Sequence, residues 1–348
     1  MTTDRPLVAI TMGDPAGIGP EVTLKALGHA GVYAQCRPLV IGDRRILERA
    51  AAWLGRPFVF ATLSDPANAR YEPGTVAVLD LGNAAPDACP VGAVSAPAGR
   101  AAVEAVFRAC DLAMAGSVDA VVTAPLNKAA MHLAGFKYAG HTELLAERTG
   151  APRVSMLLIG PRLRIVHVST HVSLAEAIRR VTQARVEEVI RIAFDSCRML
   201  GVDRPRIAVA GLNPHASEGG LFGDEEMREI MPAVEAARRQ GFDVSDPQPP
   251  DTVFLRATQG EFDIVVAMYH DQGHVPMKLL AFDDGVNVSV GLPIIRTSVD
   301  HGTAFDIAGT GQARETSLLA AIDVAVRMAA TKRAAPGDSA APFVQPRG

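Results

Sequence analysis

The sequence contains little of what marks the specialised classes of protein. Only four of its 348 residues are cysteine, and they are scattered without a C-x-x-C pair, which argues against a zinc ribbon or a disulfide framework. Aromatic residues make up 5%, and the formal net charge of −4 comes with no block of Lys or Arg. Neither nucleic acid nor an anionic membrane is therefore indicated as a partner, and a compact protein that binds small molecules fits better.

The sequence also has no uncharged run of membrane-spanning length. A secretory signal is missing at the N-terminus, because the strand-like run LVAIT begins almost at once. We therefore predict a cytoplasmic protein with no membrane partner. The last stretch, AAPGDSAAPFVQPRG, is rich in Pro, Gly and Ala without periodicity, which predicts a flexible tail over residues 334–348.

Apolar strand-like runs alternate with amphipathic helical segments along the whole chain. Examples are LVAIT followed by PEVTLKALGHA, and DAVVTAP followed by LNKAAMHLAG. This alternation predicts an α/β fold with a mainly parallel sheet and helices on both faces. The length indicates two α/β/α domains. We expect a cofactor-side domain formed by residues 1–125 plus 297–333, and a metal and substrate domain formed by residues 126–296.

Three of the predicted strands run into a histidine. RIVHVS ends at His171, RIAVAGL ends at His215, and DIVVAM ends at His270. If these strands are parallel in one sheet, their carboxyl ends share an edge where the imidazoles can converge. Three histidines with an open position form a catalytic metal site, most naturally for zinc or another borderline divalent ion. One histidine at a strand end is more often a simple hydrogen-bonding residue, so the prediction needs all three.

Other stretches combine glycine or basic residues with the ends of predicted elements. GDPAGIGPE, residues 13–21, opens a helix; the pattern alone favours a tight turn with Pro20 at the first helical position. Thr142 follows His141 at a helix start and is typical of a cap, but the imidazole and free amides would also suit a phosphate. Lys278 and Arg296 end apolar runs, where a cation is costly to bury unless it meets a carboxylate or phosphate. Singly, each is more often a solvated surface charge.

With these residues in view, the chain resembles the 4-hydroxythreonine-4-phosphate dehydrogenase family of vitamin B6 biosynthesis over roughly residues 7–330. The matching segments are GDPAGIGPE, TAPLNK, GHTELLAE, STH, GLNPHASEGG, PPDTVF, YHDQGH and GVNVSVGLPIIRTSVDHGTA. The resemblance implies a divalent metal (zinc, alternatively magnesium, manganese or cobalt) bound by His171, His215 and His270. It implies phosphorylated-substrate contacts from His141, Thr142, Lys278, Asn287 and Arg296. It also implies a homodimer with the active site near the subunit interface.

The stretches GIGPEV and HGTAFDIAGTG are similar to those of isopropylmalate and isocitrate dehydrogenases, which have a two-domain fold that is not the Rossmann fold. That similarity implies a loop that holds the adenosine half of NAD or NADP, with contacts from His301, Gly302, Asp306 and Ile307. Asp306 would favour NAD, because a carboxylate accepts from the ribose hydroxyl and repels a 2′-phosphate.

The expected reaction is metal-dependent oxidation of the 3-hydroxyl of 4-hydroxy-L-threonine 4-phosphate, followed by decarboxylation to 3-amino-2-oxopropyl phosphate. Lys278 and Asp251 are the candidate bases.

Three alternatives stay open. STHVSL, YHDQGHVPMKLL and FDDGVNVS resemble a subgroup that oxidises 4-phospho-D-threonate or 4-phospho-D-erythronate, which would give dihydroxyacetone phosphate and CO2. A third relative in the family oxidises a ring dihydrodiol carrying carboxylates, and Lys278 and Arg296 count against it. A non-catalytic, metal-dependent phosphate-binding protein is the alternative of another class.

Overall fold

The computed structural model describes residues 5–66 and 69–334, and its strands follow the apolar runs of the sequence. The strands in this part of the chain are β1 Leu7–Thr11, β2 Arg37–Gly42, β3 Val59–Thr62, β4 Thr75–Asp80, β5 Ala120–Thr123, β6 Ser155–Ile159, β7 Arg164–His167, β8 Arg206–Ala210, β9 Asp243–Gln248, β10 Ile264–Ala267, β11 Val286–Val290 and β12 Arg296–Val299. The α-helices are α1 Gly19–Leu27, α2 Ala30–Gln35, α3 Arg44–Leu54, α4 Ala96–Met114, α5 Lys128–Leu133, α6 His141–Thr149, α7 Leu174–Arg180, α8 Gln183–Met199, α9 Met231–Arg239, α10 Val253–Thr258, α11 His270–Leu280 and α12 Thr316–Ala334. Ala334 ends the last helix, and the rest of the predicted tail, residues 335–348, lies outside the described residues.

The strands form one sheet in the order β3-β4-β2-β1-β5-β12-β11-β6-β7-β10-β8-β9. The six strands from β3 to β12 in this order are parallel to one another. β11 runs antiparallel to β12 and β6, and β6 runs antiparallel to β7. From β7 through β10 and β8 to β9 the strands are parallel again. The predicted mainly parallel sheet is confirmed, with β11 and β6 joining two parallel halves.

The two halves of the sheet follow the two predicted segments of the chain. Strands β1 to β5 and β12 form one half, and strands β6 to β11 form the other. The sheet continues from one half to the other through the pairing of β12 with β11. The division into two domains, with boundaries after residues 125 and 296, stays a prediction.

Helices cover both faces of the sheet. On one face α1, α3, α8, α9 and α12 pack on a single apolar core that extends across both halves. On the other face α4 covers the first half, whereas α10 and α11 cover the second. Parallel strands enclosed in this way are buried on both sides, which explains the unbroken apolar runs of β1, β5 and β10. No helix within the described residues is long and apolar enough to cross a membrane.

Two of the predicted site residues open helices. His141 is the first residue of α6, after Gly140, and His270 is the first residue of α11, three residues beyond the end of β10. The first amides of a helix have no partner inside the helix and favour anions. The sequence placed His270 at the end of a strand, and the structure moves it into the first turn of the helix that follows.

Candidate functional site

Arg296, the first residue of β12, is buried with only 2% of its surface exposed. Its Nη1 donates to Ser289 Oγ at 2.9 Å and its Nη2 donates to Thr123 Oγ1 at 2.6 Å. Its Nε is enclosed without a partner. The guanidinium forms no ion pair with any described carboxylate, and burial lowers the pKa of Arg296 to about 9. Since buried charges are ordinarily paired, this cation is set up to meet an anion from outside the chain.

The start of α6 lies against the same group. Thr142 Oγ1 is 3.4 Å from Ser289 Oγ. The Nε2 of His141 is enclosed and has no hydrogen-bond partner. Burial, together with the positive charges of Arg296 and Lys128, holds the pKa of His141 well below its ordinary value. Three predicted phosphate residues, His141, Thr142 and Arg296, are therefore brought together as an anion pocket.

Asn287 belongs to the same wall of the site. It lies two residues before Ser289 on β11, so the two side chains point to the same face of the sheet. Its Oδ1 is buried and has no hydrogen-bond partner. A polar atom left enclosed without a partner is costly, and a ligand that donates to Asn287 would remove that cost.

Lys278 lies near the end of α11, and its ammonium group has partners within the chain. Its Nζ donates to the backbone oxygen of Asp300 at 2.8 Å and forms an ion pair with the Asp300 carboxylate. The same ammonium lies 5.5 Å from the centre of the Phe282 ring. Lys278 is thus held at the start of the loop after β12, where the predicted cofactor residues begin.

The histidine edge begins as predicted. β7, β10 and β8 are parallel neighbours in the sheet, so their carboxyl ends share one edge. The rings of His171 and His270 lie there with centres 5.7 Å apart and planes tilted by 44°. His270 stacks on His274 at 3.6 Å, and His274 lies 4.8 Å from His167. Burial lowers the pKa of His274 to about 4 and that of His167 to about 3, so both rings are neutral near pH 7.

His215 does not join this group. It opens a stretch of four residues, 215–218, with positive φ angles between 47° and 66°. Glu226 holds the start of the loop, because its Oε1 accepts from the backbone amides of Leu212 and Asn213 at 2.7 Å. The His215 ring faces Phe222, with centres 6.2 Å apart.

The three predicted metal ligands are not assembled. Among residues 5–66 and 69–334 no three His, Cys, Asp or Glu side chains lie close enough together to hold a metal ion. Two neighbouring imidazoles, His171 and His270, are of the ligand type that suits a borderline divalent ion, and the third predicted ligand is not placed with them. The metal role of the three histidines stays a prediction.

A cleft of about 640 Å³ is lined by the start of α6 and by part of the histidine edge. Its lining includes Thr142, Glu143, His167 and His171, and four arginines, Arg153, Arg179, Arg180 and Arg185. A small anionic molecule in this cavity could therefore contact Thr142 and the first histidine, whereas Arg296 does not line it.

The predicted cofactor loop packs against GDPAGIGPE. Ile18 N donates to Thr303 O at 3.0 Å, and a Cβ on Gly17 would meet Thr303 at 2.9 Å, so this contact requires glycine. His301, Gly302 and Asp306 are exposed, whereas Ile307 is half-buried against the core. The Asp306 carboxylate forms no ion pair with another described residue and is free to accept from a ribose hydroxyl. The two loops thus adjoin, and the cofactor contacts of the second loop stay a prediction.

Asp251 lies three residues beyond β9, at the edge shared with the end of β8. Gly211 N, just after β8, donates to Gln248 O at 2.8 Å and ties these ends together. The carboxylate of Asp251 is exposed, and no described residue hydrogen-bonds to it. The structure places Asp251 at the edge that carries His215, and Lys278 at the Asp300 loop, so the two candidate bases share no contact.

Several polar residues of the site were missed from the sequence. Thr123, Ser289 and His167 all lie in strands made mostly of apolar residues. A polar residue in such a strand is buried and needs a hydrogen-bond partner. A search of the apolar strands for polar residues could therefore have identified these three. Glu226 gave no such indication, since it lies in an acidic and exposed-looking stretch, DEEMREI.

Comparison with known proteins defines the class first. The D-threonate 4-phosphate dehydrogenase of Cupriavidus necator is 52% identical over 335 residues, covering 96% of this chain and all of that protein. The 4-hydroxythreonine-4-phosphate dehydrogenase of Desulfosudis oleivorans is 52% identical over 330 residues, covering 94% of this chain and 97% of that protein. A crystal structure of a 4-hydroxythreonine-4-phosphate dehydrogenase from Burkholderia phymatum has a TM-score of 0.83 at 52% identity, covering 93% of this chain and 98% of that one. The chain is an enzyme of the dehydrogenase class, an oxidoreductase.

The family follows from a second comparison. The family model described as pyridoxal phosphate biosynthetic protein PdxA matches residues 34–325. The chain belongs to the PdxA family. A more distant structure, a terephthalate 1,2-cis-dihydrodiol dehydrogenase from Burkholderia xenovorans, has a TM-score of 0.66 at 35% identity, covering 93% of this chain and 98% of that one. The suspected family resemblance is confirmed.

Proposed function

We propose that the protein oxidises the 3-hydroxyl of a phosphorylated four-carbon hydroxy acid with NAD or NADP, and that the resulting β-keto acid loses CO2. The observation that carries the proposal is the buried guanidinium of Arg296, which has hydroxyl partners and no carboxylate. A phosphate bound there would supply the missing counter-charge and accept hydrogen bonds from Thr142 and His141.

Two substrates of this class are candidates. The first is 4-hydroxy-L-threonine 4-phosphate, the substrate in the name of the Desulfosudis relative. The second is 4-phospho-D-threonate or 4-phospho-D-erythronate, supported by the Cupriavidus relative, whose name refers to D-threonate 4-phosphate. They differ at C2, which carries an ammonium in the first and a neutral hydroxyl in the second. A carboxylate such as Glu143, which lines the cleft beside Thr142, would attract only the ammonium.

The chain also offers the remaining groups that the reaction needs. A bound divalent ion, zinc or alternatively magnesium, manganese or cobalt, would act as a Lewis acid on the substrate oxygen; His171 and His270 would hold it together with His215. Lys278 and Asp251 are the candidates for the proton acceptor. An ammonium paired with Asp300 must lose a proton before it can accept one, whereas the exposed Asp251 carboxylate is free to accept.

A homodimer with the active site near the interface belongs to the same proposal. α11 carries His270 and Lys278 and also exposes apolar residues beside them, with Leu279 82% exposed and Val275 56%. Apolar side chains at positions i and i+4 share one side of a helix and are typical of an interface. A Leu279→Glu variant should shift the mass measured by light scattering from dimer to monomer. A wild-type monomer would contradict the proposal. We further propose a cytoplasmic location.

The test of the function is formation of reduced nicotinamide cofactor by the metal-loaded protein. The three phosphorylated substrates are compared at matched concentrations, each with NAD and with NADP. A kcat/KM advantage for the amino acid would support the first candidate, and an advantage for the sugar acids the second. Binding of phosphate without turnover of any of them would leave only the non-catalytic alternative.

A further inference from the structure

Two hydroxyl groups from different strands hold the guanidinium of Arg296. Ser289 lies on β11 and Thr123 on β5, the two strands that flank β12 in the sheet. Both side chains are buried, with 3% and 0% of their surface exposed. The guanidinium is therefore fixed from both sides, with one hydrogen bond to each neighbouring strand.

The important property of Ser289 and Thr123 is that both offer Arg296 an uncharged hydroxyl group. A carboxylate at either position would also hold the guanidinium, but it would cancel the charge that a bound anion needs. A hydroxyl oxygen accepts the hydrogen bond and leaves the positive charge uncompensated. The unpartnered Nε of Arg296 and its depressed pKa agree with a cation that still lacks a counter-charge.

Ser289 also reaches a second residue of the pocket. Its Oγ lies 3.4 Å from Thr142 Oγ1 while it accepts from Arg296. A serine hydroxyl has one proton to donate and two lone pairs, so Ser289 can accept from Arg296 and donate to Thr142. The proton of Thr142 is then left to point toward a ligand.

We propose that Thr123 and Ser289 are positioning residues that aim Arg296, and through Ser289 also Thr142, at the phosphate of the substrate without neutralising the pocket. The inference rests on the proposed function, because it assumes a phosphorylated substrate. In this proposal the two hydroxyls act through Arg296 and Thr142 and have no contact of their own with the reacting carbon. Their removal therefore weakens binding of the phosphate and leaves the chemical step nearly unchanged.

The variant that tests this is Thr123→Val, which keeps the shape of the side chain and removes its hydroxyl. We expect KM for the phosphorylated substrate and Kd for inorganic phosphate to rise about tenfold, the usual weight of a hydrogen bond to a charged group. The value of kcat should stay within about twofold. Ser289→Ala should behave in the same way. The conservative variants Thr123→Ser and Ser289→Thr should restore KM to within about twofold of wild type.

Thr297→Val is the matched control. Thr297 follows Arg296 on β12 and is as fully buried as Thr123. Its hydroxyl donates to Ala321 O at 2.8 Å rather than to the pocket. It loses the same kind of hydroxyl, so it reports any general effect of a buried Thr→Val change on the fold. Its KM and phosphate Kd should match those of wild type, and circular dichroism should show that all variants are folded.

A double-mutant cycle separates a role through Arg296 from a merely structural one. In an Arg296→Gln background, the further change Thr123→Val should alter the phosphate Kd by less than about twofold, because nothing is left to position. Fully additive effects, or a Thr123→Val variant that matches Thr297→Val, would overturn the inference. A wild-type protein that neither binds phosphate nor oxidises the substrates would instead overturn the proposed function and the inference with it.

Discussion

The anion pocket and the histidine edge differ in how they are built. Arg296, Ser289 and Thr123 lie on three adjacent strands whose registers are fixed by backbone hydrogen bonds. His171 and His215 lie on loops beyond the strand ends, and both are exposed. Within one chain the pocket therefore brings His141, Thr142 and Arg296 together but not Lys278, whereas the edge brings only two of its three predicted ligands together. Strands preorganise a site, and loops leave part of it to a later event such as ligand binding or assembly.

The difference has a practical consequence for affinity. A preformed pocket binds its anion without reordering side chains, so its binding energy is not reduced by conformational entropy. If the three histidines hold one metal ion, a His215 side chain must still reach His171 and His270, through a loop rearrangement or through assembly. Phosphate should consequently bind to the metal-free protein, while tight metal binding should require one of these two events.

The largest effect on turnover is expected for a substitution of His215, the predicted metal ligand that is not placed with the other two. His215→Ala should lower metal-dependent turnover by about 10³-fold or more, since a Lewis acid supplies several kcal/mol. Turnover and metal content after dialysis against zinc are measured together. His29→Ala, an exposed histidine paired with Glu315, is the control and should change neither value. Full activity of His215→Ala would refute the ligand role.

Asp14 follows β1, in the half of the sheet formed by β1 to β5 and β12, and its buried carboxyl group is expected to affect the stability of the fold. Burial raises the pKa of Asp14 from 3.8 to about 6, and one of its oxygens has no partner. The folded state thus holds this proton more tightly than the unfolded state, so stability falls as pH rises from about 4 to about 6 and stays lower above that. Asp14→Asn keeps the shape without the charge. It should be more stable than wild type by at most about 3 kcal/mol at pH 8 and equally stable at pH 4, measured by urea unfolding. Equal stability of the variant and the wild type at pH 8 would show that other interactions in the folded state compensate for the buried charge of Asp14.

Arg296 is the sharpest test of the preformed pocket. Arg296→Gln should reduce kcat/KM for the phosphorylated substrate about 100-fold, because charge-assisted hydrogen bonds to the phosphate are lost. The Kd for inorganic phosphate of the metal-free protein, measured by calorimetry, should rise by about the same factor. An unchanged phosphate Kd would mean that the phosphate binds elsewhere, for example beside the arginines that line the cleft.

The smallest effect concerns the cofactor loop. Asp306→Ser should raise the ratio of kcat/KM for NADP to that for NAD about tenfold, because one repulsive carboxylate is removed from the position expected for a 2′-phosphate. Asp203→Ser, an exposed aspartate in the half of the sheet formed by β6 to β11, is the control. A wild-type enzyme that already prefers NADP would contradict the role assigned to Asp306.

Local patterns were sufficient for much of the fold. Alternating apolar and amphipathic segments give parallel strands with helices on both faces, and that prediction is confirmed. A shared edge for the three histidine-bearing strands was expected on the condition that they are parallel, and β7, β10 and β8 are parallel neighbours. The antiparallel strands β11 and β6 did not, since a strand's direction depends on how the chain crosses the sheet and not on its composition.

The sequence by itself determined the alternation of elements, the family, and the residue types offered for phosphate and metal. Only the tertiary structure decided which of them meet. Thr123 and Arg296 are 173 positions apart, and they touch because β5 and β12 pair in one register. The tertiary structure likewise pairs Lys278 with Asp300 and places His215 in a loop with positive φ angles. Contacts between distant segments depend on register and packing, which local composition does not encode.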